Sequence, residues 1–347
     1  MPNRIAAALC GEREPGLLGS YVRALRVLGW TVACWDVNAS QARHTKFGRL
    51  GSFATSFLPV DAWTLKANRE MLITLAEPQP ELVIVSGNAP VRAGALAQLR
   101  ILAPGARLVL LWPDSLLNLS RHVIEALPVY DLVASYSKAS LGELRRLGAT
   151  RVEWLPFGAD PLFFPPDVPV SEEQRRRLAS DVCLVGNHRP EREAAVLALV
   201  RAGFSVKVWG EPRSWKRHVR EPGMLSQYYQ GEALFGEHFA RALRCSALSL
   251  NPIDPTNFPS ANMRFFESPG CGAATLNSPC PEMAGTFREG VSGFYFDTVG
   301  RLPGVVKELI ADEPRRIAVA KTAQKLVLDE HTYARRAEQL LELLGDA

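Results

Sequence analysis

Short apolar runs alternate with amphipathic stretches along the first half of the chain. The short runs are apolar at successive positions, which predicts strands buried on both faces of a parallel sheet. The stretches between them repeat apolar residues at helical spacing, so strand–helix units are expected. The predicted strands are residues 5–10, 31–35, 82–86, 107–112, 132–135 and 151–154, and the predicted helices are 17–28, 62–76, 93–102, 116–127 and 139–147.

A proline-rich stretch at residues 156–169 interrupts this alternation and predicts a linker. The alternation then resumes, which predicts a doubly wound α/β fold with two domains, residues 1–160 and 161–330. Two such domains would face each other across a cleft, with ligands at the carboxyl ends of the strands. The second-half strands are predicted at 182–185, 205–209, 247–250, 273–276 and 293–296, and the helices at 192–202, 239–245 and 263–271, followed by two or three more.

Length and composition fit this picture. A chain of 347 residues has room for about two domains. The six cysteines are scattered and lack zinc-site spacing, so we expect reduced, buried thiols in a cytoplasmic protein. The first ten residues lack the features of a signal peptide and are predicted to form a buried strand. A net charge of +4 suits anionic ligands such as phosphates and does not indicate nucleic acid as a partner.

The first candidate motif follows the strand at 182–185 and leads into a helix. Gly186 and Asn187 lie in the turn, where a glycine lets the backbone approach a ligand closely. Arg189 and Arg192 add bidentate donors for phosphate beside the free N–H groups of the helix start. The alternative is an ordinary strand-to-helix turn with solvated arginines.

The second candidate motif begins at Asn251, where the strand at 247–250 ends. Ser260 and Asn262 are good N-cap residues, so a helix is predicted to begin there and to point its first turn at the ligand. Glu267 lies about one turn into this helix, and a carboxylate there suits the vicinal hydroxyls of a ribose. In the alternative, Asn262 only caps the helix and Glu267 pairs with Arg264 at helical spacing.

Three further side chains are weaker candidates. Tyr229, next to Tyr228, could hold a planar base, although adjacent tyrosines also occur as packing residues. Asp114 and His122 follow the strand at 107–112, where either could act as a base or contact the sugar. The alternative for Asp114 or His122 taken alone, a surface or capping residue, is the favoured interpretation.

Two segments of the first half carry looser patterns. The glycine-rich residues 10–19 do not fit a dinucleotide fingerprint but could bring backbone near a phosphate. Residues 45–60 are predicted to be irregular, and they form either an acceptor-binding loop or an ordinary surface excursion. This segment contains two basic residues and three phenylalanines, Lys46, Arg49, Phe47, Phe53 and Phe57. No spacing typical of metal ligands occurs in the chain, so no metal is predicted.

Several segments of the second half form one set, namely residues 181–187 with Arg192, 249–251, 262–267, 270–273, 289–290, 294–297 and 331–336. Together they resemble the CgeB-like branch of the group 1 glycosyltransferases. The resemblance implies a GT-B fold, with two Rossmann-like domains and a C-terminal helix at 331–347 that packs back towards the first. It also implies a nucleotide-sugar donor bound mostly to the second domain without an obligatory metal or other cofactor.

Individual roles follow from the same resemblance. Glu267 would bind the ribose, and Arg264 and the Asn262 region the diphosphate, with Gly186, Asn187 and Arg189 lining the site. One position departs from the family pattern, because many group 1 enzymes have a second acid where this chain has Pro259. Retention of configuration would need no strong protein base, whereas inversion would make Asp114 or His122 the base to test.

The predicted function is metal-independent transfer of a sugar, hexosyl-like and with retention, from a nucleoside diphosphate to a hydroxyl-bearing acceptor. The acceptor would be a glycan, a lipid-linked molecule or a small molecule, and peripheral association with a membrane stays open, as does the oligomeric state. The alternatives are a sugar-nucleotide epimerase or hydrolase of the same fold, and a non-catalytic sugar-nucleotide-binding protein. A periplasmic binding-protein-like fold also has two α/β lobes, but the single linker argues against it.

Overall fold

The computed structural model describes residues 4–9, 16–58 and 60–345, without the side chains of Arg49 and Ser56. Most of the glycine-rich segment singled out in the sequence, residues 10–15 with Cys10, lies outside the described residues. The chain divides into two compact units. The N-terminal unit comprises Met1–Pro156 together with Ala334–Ala347, and the C-terminal unit comprises Phe157–Tyr333.

The N-terminal unit is built on a six-stranded sheet. Its strands are β1 (Ile5–Ala8), β2 (Thr31–Cys34), β3 (Leu82–Ser86), β4 (Arg107–Trp112), β5 (Leu132–Ser135) and β6 (Val152–Trp154). They pair in parallel in the order β2-β1-β3-β4-β5-β6. Nearly every residue of β3, β4 and β5 is buried, which explains why these strands are continuous apolar runs. The six strands predicted for this half are therefore confirmed.

Helices cover this sheet. They are α1 (Leu17–Val27), α2 (Val37–His44), α3 (Gly51–Phe57), α4 (Asp61–Ala76), α5 (Ala93–Leu102), α6 (Arg121–Ala126) and α7 (Leu141–Arg146). The helix predicted at 116–127 is wrong in extent, because only α6 is α-helical there and a 3₁₀ turn flanks it on each side. Ser120 is extended and interrupts the run, and Pro128 lacks the N–H that a continuing helix needs.

The segment at 45–60, predicted to be irregular, is largely helical. It contains a 3₁₀ turn at Gly48–Leu50 and then α3. α3 begins against α2, since a Cβ at Gly51 would lie 2.4 Å from the carbonyl oxygen of Ala42. A residue without a side chain is needed for so close an approach, and the local pattern of polar and apolar residues does not reveal it.

The C-terminal unit has a second six-stranded sheet. Its strands are β7 (Ser180–Val185), β8 (Val206–Trp209), β9 (Tyr229–Gly231), β10 (Ser246–Asn251), β11 (Thr275–Asn277) and β12 (Phe294–Tyr295). They are parallel and follow the order β12-β11-β10-β7-β8-β9. Five of these strands were predicted. The sixth, β9, is a three-residue edge strand, too short to show a hydrophobic period.

The helices of this unit follow the strands in alternation. They are α8 (Glu172–Leu178), α9 (Pro190–Arg201), α10 (Pro212–His218), α11 (Gly236–Arg244), α12 (Arg264–Gly270), α13 (Leu302–Ala311) and α14 (Glu313–Glu330). The last helix, α15 (Tyr333–Leu344), lies almost entirely in the N-terminal unit. There the buried Arg336 donates from Nε to the carbonyl oxygen of Pro156 at 3.0 Å.

The strand order fixes where a ligand can bind in the C-terminal unit. From β7 the chain moves outward to β8 and β9, and from β10 it moves outward in the opposite direction to β11 and β12. The order therefore reverses between β7 and β10, which lie side by side. In sheets of this kind, the crevice at the carboxyl ends of the two strands at the reversal point is the usual binding position.

The described cysteines carry free thiols, and no helix in the described part of the chain is both long and apolar enough to cross a membrane. Cys183, Cys271 and Cys280 are buried as predicted, whereas Cys34 and Cys245 are half-buried. Burial raises the pKa of the three buried thiols to about 12, so they stay protonated near neutral pH. A protonated, enclosed thiol is a poor nucleophile.

Candidate functional site

Side chains hold every backbone carbonyl of the turn that leaves β7. The donors come from the start of α9, from α10 and from α12, so side chains rather than backbone groups fix the turn. The bonds run from Arg264 Nε to Val185 at 2.9 Å, Trp215 Nε1 to Gly186 at 2.9 Å, Arg192 Nη1 to Asn187 at 2.7 Å and Arg189 Nη1 to His188 at 3.1 Å. The backbone N–H groups of Asn187 and Arg189 have no hydrogen-bond partner among the described residues. The turn thus offers free donors and positive side chains, the chemistry that binds anions.

Three arginines of this turn act on one another electrostatically. Burial, together with the positive charges of Arg264 and Arg189, lowers the pKa of Arg192 to about 10. The guanidinium stays protonated near neutral pH, so three positive charges are held close together. A bound anion would relieve their repulsion and is therefore favoured here.

An acidic residue that the sequence did not single out balances part of this charge. Asp254 accepts a hydrogen bond from Arg189 Nε at 2.6 Å. Burial opposes ionisation of Asp254, but hydrogen bonds from Thr256 and from Arg189 outweigh it and lower the pKa of the carboxyl. Arg189 is thereby anchored above the turn, although 52% of its side chain remains exposed.

Arg264 and Glu267 form an ion pair within α12, as the alternative interpretation of this motif predicted. The guanidinium also lies 4.6 Å above the ring of Phe239. Burial raises the pKa of the Glu267 carboxyl against the opposing effect of Arg264, and the charge of Asp160 raises it further. Glu267 is thus enclosed and paired where a ribose contact was predicted.

The start of α12 differs from the prediction. The helix begins at Arg264 and Met263 occupies the N-cap position, without a side-chain cap. Asn262 still contributes, because its Oδ1 accepts from the backbone N–H of Arg264 at 3.1 Å. The helix ends at Gly270, and Gly272 follows with a φ of +81°, in the region that favours glycine.

A chain of side-chain amides at the ends of β10 and β11 explains the position of Asn262. Asn262 Nδ2 donates to Asn251 Oδ1 at 2.8 Å, and Asn251 Nδ2 donates to Asn277 Oδ1 at 2.9 Å. Asn277 in turn donates to Thr275 Oγ1 at 3.3 Å. Asn251 and Asn277 are buried, so these amides hold the loop between β10 and α12 in place.

Two glycines and a tryptophan support the turn after β7. A Cβ at Gly210 would lie 2.3 Å from both the Gly186 carbonyl oxygen and Trp215 Nε1, so only glycine fits at this position. A Cβ at Gly186 would lie 2.9 Å from Arg192 Nη1. The space beside Gly186, predicted to admit a ligand, is therefore occupied by the Arg192 guanidinium.

His188, next in the turn, is also a supporting residue. Its Nε2 lies 2.8 Å from Glu193 Oε2, and both side chains are buried. The second oxygen of Glu193 accepts the backbone N–H groups of Arg220 at 2.6 Å and Glu221 at 3.2 Å. The start of α9 is thereby tied to the segment that follows α10.

Basic residues of α10 extend the positive surface beyond the turn. They line a cavity of about 610 Å³ together with the turn itself; its residues are His188, Arg189, Pro190, Glu211, Arg213, Ser214, Arg217, His218 and Arg220. Arg213, Arg217 and Arg220 have no ion-pair partner within the part of the chain that the structure describes. These arginines were missed in the sequence because α10 itself was not predicted there.

Tyr229 lies on the edge strand β9. Its hydroxyl donates to the carbonyl oxygen of Gly210 at 3.0 Å, and its ring centroid is 6.2 Å from that of Trp215. The neighbouring Tyr228 is fully buried. Both tyrosines therefore pack beside the support of the turn, and Tyr229 keeps a partly exposed ring.

Asp114 and His122 both follow β4 in the N-terminal unit, and each is hydrogen-bonded to other residues there. His122 Nε2 donates to the carbonyl oxygen of Ala89, and Nδ1 accepts from the hydroxyl of Ser120, each at 3.0 Å. Asp114 accepts from the backbone N–H of Ser115 at 2.7 Å and from Asn118 Nδ2 at 2.9 Å. Burial lowers the pKa of His122, so the neutral ring predominates near neutral pH.

Within the described residues, no group of three or more His, Cys, Asp and Glu side chains is arranged to hold a metal ion. Positive charge near the turn is supplied by arginines instead. Such side chains can stabilise an anion without a metal.

Comparison with known proteins agrees with this architecture. Residues 189–342, slightly less than half the chain, match the family described as glycosyl transferase-like. No curated protein sequence matches the chain significantly.

Solved structures align along the whole chain. Anabaena HepE in complex with UDP-glucose is 15% identical, with a TM-score of 0.63 over 99% of this chain and 100% of that one. A glycosyltransferase from Rickettsia africae is 12% identical, with a TM-score of 0.67 over 99% and 98%. Sucrose-phosphate synthase from Thermosynechococcus elongatus is 15% identical, with a TM-score of 0.63 over 99% and 98%.

The chain has the GT-B fold. Two parallel six-stranded sheets, each covered by helices, are the shared architecture, and the predicted fold class is confirmed.

Proposed function

We propose that the protein is a glycosyltransferase that moves a sugar from a nucleoside diphosphate to a hydroxyl-bearing acceptor. The observation that carries this proposal is the turn after β7. Arg189, Arg192 and Arg264 hold its carbonyl groups, and two of its N–H groups have no partner among the described residues. This turn lies at the reversal point of the sheet. The match of residues 189–342 to the glycosyl transferase-like family supports the same function.

The arginines would stabilise the diphosphate as it leaves the sugar. In such a transfer the bond from the anomeric carbon to the diphosphate oxygen breaks, a bond to the acceptor oxygen forms, and the proton of the acceptor hydroxyl passes to the departing diphosphate. Negative charge grows on the diphosphate, and donors positioned in advance lower the barrier because they need no reorganisation. No metal is required in this proposal, since the arginines supply the compensating charge.

Glu267 would bind the ribose in exchange for its present partner. Arg264 now donates to the carboxylate, whose side chain is 4% exposed. A diphosphate would draw the Arg264 guanidinium towards itself, because a phosphate offers stronger charge-assisted bonds. The freed carboxylate oxygens could then accept from the vicinal hydroxyls of the ribose.

Transfer with retention of configuration fits the hydrogen bonds that already occupy His122 and Asp114, the two candidate bases of the N-terminal unit. An inverting enzyme needs a base for the acceptor hydroxyl, and both ring nitrogens of His122 already have partners. A retaining transfer of the group 1 type, in the CgeB-like branch, needs no such base. Asp114 keeps two hydrogen bonds as well and serves in this proposal only to shape its loop.

One observation favours a second candidate, a sugar-nucleotide-binding protein without turnover. Pro259 stands where many group 1 enzymes have an acid that contacts the donor sugar. Its carbonyl oxygen accepts a hydrogen bond from the backbone of Glu282 at 3.3 Å, so the residue is part of the loop packing. Such a protein would bind the donor and release no nucleoside diphosphate.

Ligand-induced stabilisation tests the donor site first. UDP, GDP, dTDP and ADP, alone and as sugar conjugates, are compared by thermal shift with and without EDTA. UDP-glucose is the first conjugate to test because Anabaena HepE binds it. We expect stabilisation by at least one nucleotide, unchanged by EDTA, since ligand binding to the folded state raises its stability. No shift with any of them would refute the donor site.

Turnover separates the two candidates. Release of the nucleoside diphosphate is followed with a panel of glycan, lipid-linked and small-molecule acceptors. Release that depends on an acceptor supports the transferase. Tight donor binding without release across the panel would identify the binding protein instead.

A further inference from the structure

The segment from Phe47 to Leu58 exposes its large apolar residues and buries its small ones. Gly51 and Ala54 face inward, and Ala54 is 8% exposed. The residues that face outward are Phe47, Leu50, Phe53, Phe57 and Leu58, with exposures from 50% to 67%. This arrangement is the reverse of the usual one, in which the larger side chain is the buried one.

The exposed side chains belong to a well-anchored segment. Thr45 Oγ1 donates to the Ala42 carbonyl oxygen at 2.7 Å and accepts from the backbone N–H of Phe47 at 3.1 Å. The close approach of Gly51 to Ala42 fixes the start of α3 on α2. Two of the outward rings also contact each other, since the centroids of Phe53 and Phe57 lie 4.5 Å apart.

The neighbouring helix α4 continues this surface with alternating apolar and basic residues. Leu65, Arg69 and Ile73 follow one another at intervals of four on its exposed face, with Lys66 beside them. Leu65 is 61% exposed and Ile73 is 67% exposed. An exposed helix face normally lacks such residues.

The charge of this region is positive because two of its three acids are already paired, and the third, the exposed Glu77, is outnumbered by basic residues. Asp61 pairs with Arg92, and Glu70 is bound by Ser40, Arg43 and His44. By contrast, Lys46, Lys66 and Arg69 have no anionic partner within the described residues. Uncovered apolar side chains and unpaired basic groups therefore occur together on α3 and α4.

We propose that the exposed residues of α3 and α4 dock the protein on an anionic lipid bilayer. Phenylalanine and leucine side chains enter the boundary between headgroups and acyl chains, and lysine and arginine bind the anionic headgroups. A second copy of the chain is a poorer occupant. A symmetric dimer through this surface would place the same unpaired basic residues opposite one another, which costs energy.

Vesicle flotation of the full chain tests the docking. We expect the protein to float with vesicles of phosphatidylcholine and phosphatidylglycerol at low salt, and not with phosphatidylcholine alone. Added salt should weaken the binding, because it screens the basic residues. Absence of flotation with the anionic vesicles, or equal flotation with both kinds, would overturn the proposal.

Two double variants separate the apolar from the basic contribution. Phe53→Ser with Phe57→Ser should lower vesicle affinity by about tenfold or more, because both rings leave the bilayer. Lys66→Gln with Arg69→Gln should lower it by about thirtyfold. The matched control is Ile101→Ser with Leu117→Ser, which removes apolar residues of the same unit that are 80% and 84% exposed.

The control should float like the unmodified chain, and equal losses in all three variants would contradict a specific surface. Each variant is also checked for an unchanged melting temperature, so that a folding defect is recognised. Sedimentation of the protein without vesicles tests the alternative in which a second copy of the chain occupies this surface. Concentration-dependent dimers that disappear in the phenylalanine variant, without any vesicle binding, would assign the surface to a second copy.

Discussion

Arg264 and Glu267 pair across one turn of α12, and the Arg264 guanidinium also donates to the Val185 carbonyl at the end of β7. One arginine therefore connects the buried carboxyl of α12 with the turn that begins at Gly186. The side chain of Glu267 is 4% exposed, against 25% for Arg264. In the proposed site, an incoming phosphate would therefore meet the guanidinium before the carboxyl, and its binding would release Glu267.

Replacement of Glu267 by glutamine tests this coupling. The variant keeps an oxygen that accepts from Arg264 but loses the charge that favours two ribose hydroxyls. We expect affinity for UDP to fall about tenfold or more, whereas affinity for pyrophosphate, which has no ribose, stays within about threefold. Titration calorimetry with both ligands measures the difference.

The stability of the free protein provides the control for Glu267. Glu267→Gln should change the free energy of unfolding by about 1 kcal/mol or less, because the hydrogen bond to Arg264 can persist. Glu267→Ala leaves the guanidinium without its partner and should cost about 1–3 kcal/mol. Equal losses of UDP and pyrophosphate affinity in the glutamine variant would assign Glu267 a structural role only.

Replacement of Arg192 by methionine tests the anion site itself. Because Arg192 is repelled by Arg189 and Arg264, its removal should leave the free energy of unfolding unchanged or raise it slightly. Pyrophosphate affinity should fall by about tenfold, since a charge-assisted contact is lost. Thermal unfolding with and without pyrophosphate measures both effects.

Arg107→Met serves as the comparison for this variant. Arg107 is exposed at the start of β4 in the N-terminal unit, so its loss should affect neither stability nor pyrophosphate binding. A destabilised Arg192→Met protein with unchanged pyrophosphate affinity would mean that Arg192 only fastens the Asn187 carbonyl.

The strands that carry the site were predictable because burial on both faces leaves a continuous apolar signature. β3, β4 and β5 have the predicted bounds, and the strands of the second sheet differ from prediction by one or two residues, apart from β9. The positions of Gly186 and Arg189 after β7 follow from that pattern. The order of strands and turns along the chain can therefore be predicted from the sequence, because it depends on the spacing of apolar residues within each short segment.

The partners within the site were not predictable in the same way. Arg189 and Asp254 are 65 positions apart, and Arg264 and Val185 are 79 apart. Such pairs form only when tertiary folding brings separate loops together, and no periodicity signals them. The Arg192 guanidinium that covers Gly186 is a local contact, but its side-chain conformation is likewise not signalled by any periodicity.

The supporting role of Gly210 can be tested by one added methyl group. In Gly210→Ala the new Cβ would overlap the Gly186 carbonyl and the Trp215 indole, so one of them must move. We expect a loss of about 1–3 kcal/mol in the free energy of unfolding, the usual cost of overpacking. Nucleotide-induced stabilisation should fall as well if the proposal is correct, because the moved Gly186 carbonyl belongs to the turn proposed to bind the diphosphate.

Gly304→Ala is the matched control for the methyl group. Gly304 lies inside α13 with nothing within 4 Å of an added Cβ, so this change should be neutral or stabilising by up to about 1 kcal/mol. Urea unfolding compares the two variants. Equal behaviour of both would mean that the backbone around Gly210 can yield without disturbing the turn.

The pH dependence of stability tests the role of His122. Burial lowers its pKa below the ordinary 6.5, and the charge of Arg92 adds to the effect. The folded state then binds fewer protons than the unfolded state, so the neutral ring contributes stability above about pH 6.5 that is lost as the pH falls through the lowered pKa. His122→Gln has no such titration, and its free energy of unfolding should fall less than that of the unmodified chain between about pH 7.5 and pH 5.

The rate of sugar transfer by His122→Gln shows whether His122 has a structural or a catalytic role. A histidine whose two nitrogens bind Ala89 and Ser120 should be dispensable for proton transfer, so His122→Gln should retain sugar transfer within about tenfold. Loss of a general base typically costs about a hundredfold to ten-thousandfold. A loss of that size, with donor affinity and the pH dependence of stability unchanged, would contradict this expectation. His122 would then be the base of an inverting reaction, and its ring would exchange its present partners for the acceptor hydroxyl.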